Sequence, residues 1–192
     1  MARWQPDASR RLAQAALDLF EERGYENTTV IDIAERAGLT KSTFFRHYAD
    51  KREVLFGGET LTRLLAAGIA AAPATAAPLD AIGHALDVVG REAFTPDLRE
   101  FRARRRAVIA ANRELQEREA LKGLAVIASM TGALRQRGVP DLTARATAEL
   151  GALALQIAYE RWSDVTGGEE FSDVARRAVG EVRAAMASSD AN

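Results

Sequence analysis

Apolar side chains recur along this chain with the period of a helix. Leu12, Ala15, Ala16, Leu19 and Phe20 fall at i, i+3, i+4, i+7 and i+8, one face of a helix that should end at Gly24. Thr29-x-x-Asp32 has the form of a capping box: the hydroxyl accepts from an orphan backbone N–H, and the acid favours the positive helix end. It predicts a short helix from Val30 to Ala37. Gly38 supplies a tight turn, and Thr40 caps a third helix from about Lys41 to Tyr48.

Asp50-x-x-Glu53 repeats the cap signature and predicts a fourth helix through Val54, Leu55, Leu61 and Leu65, stopping before Pro73. The stretch from Ala71 to Pro78 has small residues, two prolines and no charge, so it reads as a loop or loose linker. Beyond it, Leu79, Ile82, Leu86 and Val89 form a helical stripe, and Thr95-Pro96 starts a sixth helix running to about Ala111. Asn112 caps a long helix to Leu134, closed by Gly138 and Pro140. Asp141 starts an eighth, ending at Gly167-Gly168, and a ninth carries Phe171, Val174, Ala178, Val182 and Met186. About nine helices and no convincing strand predict an all-α protein.

Composition narrows the functions open to it. The 192 residues are 47% hydrophobic and 28% charged, which fits a globular chain and excludes a disordered one. Cys is absent, so thiolate metal sites, disulfides and a cysteine nucleophile are excluded. His47 and His84 are the only histidines, and no P-loop or Gly-x-Ser-x-Gly occurs, so an enzyme finds little support; no catalytic residue, metal or cofactor is expected. The first twenty residues mix Arg3, Asp7, Arg10, Arg11 and Asp18 with apolar ones, unlike a signal peptide or membrane span, and a cytoplasmic protein is expected.

Net charge is −1, so any case for nucleic acid must be local. It lies at residues 30–48, which read as helix, glycine turn, helix. Small Ala34 allows close approach, and Ile33, Leu39 and Phe44 can bury against the first helix. From Lys41 through Arg52 there are four cations (Lys41, Arg46, Lys51, Arg52) against Asp50 alone. Short hydroxyl and cationic side chains suit phosphates and major-groove base edges. The competing reading is a plain helical corner with a solvated basic face.

Residues from about 10 to 56 resemble the N-terminal domain of TetR-family transcriptional regulators. The likeness rests on the leading helix Arg11–Arg23, Gly24-Tyr25, Thr28-Thr29, Ile33-Ala34, Ala37-Gly38, the run from Thr43 to Tyr48, Lys51 and Val54-Leu55. It implies a helix-turn-helix DNA-binding domain over 1–56, with the motif at about 29–48, and a helical ligand-binding and dimerisation domain over 57–192. It implies that Thr29 and Thr40 hold phosphates near helix starts, that Lys41, Ser42, Thr43 and Arg46 face the groove, and that His47 and Lys51 clamp the backbone. Phe45 departs from the family's common Tyr, which removes a phenolic hydrogen bond to phosphate and leaves packing against sugar or a thymine methyl.

The resemblance further implies a homodimer on a pseudo-palindromic DNA operator, released by a small-molecule effector, in the bacterial cytoplasm at the nucleoid. The last two helices, rich in small residues (Gly151, Ala152, Ala154, Ala158, Ala175, Ala178, Gly180), suit close packing between subunits; an ordinary intrachain core is the alternative. Candidate pocket residues are Leu86, Phe94, Phe101, Arg105, Ile109, Leu124, Ile127, Met130, Tyr159 and Trp162. If Trp162 lines a cavity, an effector should change tryptophan emission, to which Trp4 also contributes. Arg99, Arg102, Arg104, Arg105 and Arg106 suit an anionic ligand such as an acyl thioester of coenzyme A, or else a charged face paired with Glu100, Glu114, Glu117 and Glu119. The rival functions are a helical small-molecule carrier and a DNA binder without an effector.

Overall fold

The computed structural model describes residues 8–57, 59–164 and 168–189, so Trp4 and Gly167 lie outside the described residues. Among these the chain forms nine α-helices and no strand: α1 (Ala8–Arg23), α2 (Val30–Arg36), α3 (Lys41–His47), α4 (Thr60–Ala71), α5 (Pro78–Glu92), α6 (Arg99–Ala110), α7 (Arg113–Gln136), α8 (Asp141–Ser163) and α9 (Phe171–Ser189). None of them is long and apolar enough to cross a membrane.

The helices sort into two compact units. The first holds the described residues through 57 together with Arg104–Ala120; the second holds Glu59–Ala103 and the described residues from Leu121 onward. The sequence reading left 104–120 wholly beyond a boundary at residue 56, yet that segment packs in the first unit. Charge explains the placement. Arg104 donates to Asp18 at 2.7 Å and to Glu21 at 3.0 Å, Arg118 pairs with the buried Glu53, and Arg52 lies 3.5 Å from Glu114. Arg105 is buried, with Nε donating to the Leu55 carbonyl at 2.6 Å and its guanidinium 4.9 Å from the centre of the Phe56 ring.

In the first unit α1 buries Leu12, Ala15, Ala16, Leu17, Leu19 and Phe20, as its period requires. The expected fourth helix starts late. Asp50 accepts from the backbone N–H of Arg52 and of Glu53, but only a 3-10 turn, Arg52–Leu55, follows before Gly57 turns the chain at φ +66°. The cap was legible; the helix it should open was cut short by a glycine two residues past the turn.

The core of the second unit lies among α4, α5, α7, α8 and α9. A Cβ added at Gly68 would come 2.5 Å from the Ala85 Cα, so α4 and α5 are in backbone contact there. The segment expected to be a loose linker is pinned: Arg137 donates to the carbonyls of Ile69, Ala72 and Pro73. Most of the small residues of α8 and α9 follow the intrachain alternative, Ala152 being half-buried and Gly180 exposed. Ala154, Ala158, Ala175 and Ala178 are buried in the intrachain core, and Gly151 faces Ile82, so this close packing lies within one chain. Leu142 and Leu153 of α8 and Met186 of α9 are the large apolar residues those helices leave exposed.

Candidate nucleic-acid interface

The helix pair α2 and α3 is fixed from both ends. Thr29 and Asp32 form the complete capping box: the Asp32 N–H donates to Thr29 Oγ1 at 3.2 Å, and the Thr29 N–H donates to Asp32 Oδ2 at 2.8 Å. The Thr29 hydroxyl also donates to Asp32, at 2.6 Å, and Arg23 pairs with it at 2.8 Å. These hydrogen bonds from Thr29, with a smaller part from Arg23, hold the Asp32 carboxyl at about 2. Gly38, at φ +65°, makes the turn, and Thr40 caps α3 by accepting from the Thr43 N–H at 3.1 Å.

Burial on α3 is one-sided. Phe44 is fully buried, and Ile33 and Ala34 of α2 are buried with it, while Lys41, Ser42, Phe45, Arg46 and His47 are exposed. Arg11 donates to the Ala37 carbonyl, and the Tyr48 hydroxyl donates to the Ser9 carbonyl at 3.0 Å, so α1 holds the turn and the end of α3. The side chains of Lys41, Ser42, Arg46 and His47 make no hydrogen bond or ion pair with another described residue. Their polar atoms are available to a partner.

The other predicted contacts are less open. Thr29 and Thr40 are exposed, but their hydroxyls already serve as caps. Thr43 is half-buried and lies 3.0 Å from the Thr40 hydroxyl. Lys51 is drawn inward, donating to the Tyr25 carbonyl at 2.8 Å with its ammonium 3.9 Å from that ring's centre. Arg52 is neutralised by Asp50 at 2.7 Å. The basic island of the sequence therefore reduces to Lys41 and Arg46, with His47 beside them. Sequence reasoning missed Ile31, which stands 48% exposed on α2; its signal is an isoleucine out of phase with the buried pair Ile33 and Ala34.

The ten expected pocket residues do not form one set. Arg105 and Ile109 belong to the first unit and the others to the second. Leu124 is 63% exposed, so it lines no cavity within the chain. Leu86, Met130 and Trp162 are core, while Phe101, Ile127 and Tyr159 are half-buried. Phe94 packs ring on ring, 4.5 Å from Phe171, 5.4 Å from Tyr159 and 5.7 Å from Trp162. A depression of about 380 Å³ occurs in the first unit, lined by Phe20, Tyr25, Val108 and Asn112 among others, and none of the ten touches it.

The arginine run is engaged within the chain. Arg99 lies over the Trp162 ring at 5.2 Å and Arg102 over Phe94 at 5.1 Å, while Arg104 and Arg105 hold the first unit as described. Of the expected acidic partners Glu119 lies 3.3 Å from Arg105, while Glu114 goes to Arg52 and Glu117 to Arg113.

Comparison with known proteins agrees with this geometry. Residues 12–56 match the profile of bacterial regulatory proteins, tetR family. The HTH-type transcriptional regulator TcmR of Streptomyces glaucescens is 40% identical over 80 residues, 41% of this chain and 35% of that protein. An HTH-type transcriptional repressor of Mycobacterium tuberculosis is 37% identical over 90 residues, 44% of each chain. The chain thus spans less than half the length of these curated relatives. Across nearly its whole length the fold is similar to NalD, the secondary repressor of the MexAB-OprM multidrug efflux pump in Pseudomonas aeruginosa, with a TM-score of 0.54 and 22% identity over 91% of this chain and 94% of that one.

Proposed function

We propose, from the match of residues 12–56 to the tetR family of bacterial regulatory proteins, that the chain is a sequence-specific DNA-binding transcriptional regulator of that family, a dimeric repressor released from its operator by a small-molecule effector. The observation that carries the reading is the exposed face of α3. The side chains of Lys41, Ser42 and Arg46 stand there without a hydrogen bond or ion pair to another described residue, on a helix capped by Thr40 and anchored by the fully buried Phe44. Cations fixed on a rigid helix release counterions from DNA at little ordering cost, and a hydroxyl between them can meet a base edge. Net charge near zero keeps the rest of the surface from holding DNA indiscriminately.

Dimerisation is assigned to the outer faces of α8 and α9, where Leu142, Leu153 and Met186 are exposed. A two-fold axis would set the paired α3 helices about one DNA turn apart, ~34 Å, which a pseudo-palindromic operator matches. An effector releases the DNA by binding better to a conformation in which that spacing is wrong.

The test is fluorescence anisotropy on DNA from upstream of the chain's own gene, against a scrambled duplex, at two salt concentrations, backed by selection of bound genomic fragments. Binding confined to specific fragments and weakening with salt is expected. The double variant Lys41→Ala, Arg46→Ala should lose it with helicity and dimer mass unchanged; unaltered affinity in that variant would overturn the site.

A further inference from the structure

Phe45 is a large apolar side chain that the fold does not use. The residue is 49% exposed, while its neighbour Phe44 is fully buried. The two rings meet edge to face, 5.5 Å apart at 79°, so the buried ring steadies the exposed one. On the helical wheel of α3, at about 100° per residue, Phe45 falls between Lys41 and Ser42, and Arg46 follows on the same arc. The Lys41 ammonium lies 5.9 Å from the Phe45 ring centre.

We infer that Phe45 is a specificity-determining residue that selects a thymine through its 5-methyl group; this rests on the DNA-binding reading above. Phe carries no donor or acceptor, so it gains nothing from a phosphate or a polar base edge. The major groove offers one apolar protrusion among the bases, the thymine methyl, at the groove wall beside the backbone. A side chain on the shoulder of the exposed arc, next to a lysine suited to phosphate, is placed for that wall. The exposed apex of the arc, Ser42 and Arg46, is left for polar contacts.

Burying one methyl corresponds to about fourfold in affinity. The experiment uses the full chain. Duplexes enriched by it from a random library are resynthesised with deoxyuridine replacing each thymine in turn, which removes only the methyl. At one thymine per half-site the wild type should bind about fourfold more weakly, and Phe45→Ala should show no such difference. Phe45→Leu, which keeps an apolar tip, should retain part of it, and circular dichroism checks that both variants fold. If no deoxyuridine weakens binding, or if Phe45→Ala weakens it equally with thymine and deoxyuridine, the ring packs on deoxyribose and the inference fails. A chain that enriches no sequence overturns the DNA-binding reading itself.

Discussion

The Thr29 and Asp32 pair shows how much one short motif fixes. The Asp32 carboxyl sits at about 2, below its ordinary 3.8, because Thr29 donates to it from hydroxyl and backbone. A folded-state value below the unfolded one means that its stabilisation is complete above about pH 4 and fades as pH falls toward 2. Thr29→Ala removes the same cap and should cost about 1 kcal/mol near neutral pH. The gap in Tm between wild type and Thr29→Ala should therefore shrink between pH 4 and 2; a gap independent of pH would mean the carboxylate does not complete the box. All of this pair was legible in sequence, because a capping box involves only residues three apart. Lys51 was not: its turn inward to the Tyr25 carbonyl depends on two segments meeting 26 residues apart.

At the scale of the helix, period and punctuation served well for α1, α2 and α3, whose faces and caps lie within them. They failed where a helix meets its neighbours. The small residues of α8 and α9 look alike whether they face a partner chain or their own core, and here five of the seven face the core while Ala152 is half-buried and Gly180 exposed. Gly68 illustrates the point on α4. Its missing Cβ admits the backbone of Ala85 on α5, a contact no local pattern announces. Gly68→Ala should force the two helices apart and cost about 1–3 kcal/mol by denaturant unfolding, although alanine is the better helix former. A gain in stability would show that α4 and α5 do not meet there.

At the scale of the molecule, the all-α class and the helix-turn-helix were readable, while the return of 104–120 to the first unit was not, because ion pairs such as Arg104 with Asp18 join residues 86 apart. The first unit is built from two stretches of chain, with residues 59–103 leaving and returning between them. Its unity is therefore topological as well as physical: the unit that carries α3 is not a bead that can be cut from the string. A fragment ending at residue 56 carries the whole family match, yet it lacks Arg118, the counter-charge of the buried Glu53, and Arg105, the donor to the Leu55 carbonyl. By circular dichroism such a fragment should melt well below the full chain, or not fold at all. Exchange of α3 between relatives by splicing at residue 56 would break the same contacts, so a viable chimera must carry 104–120 from the same parent as α3.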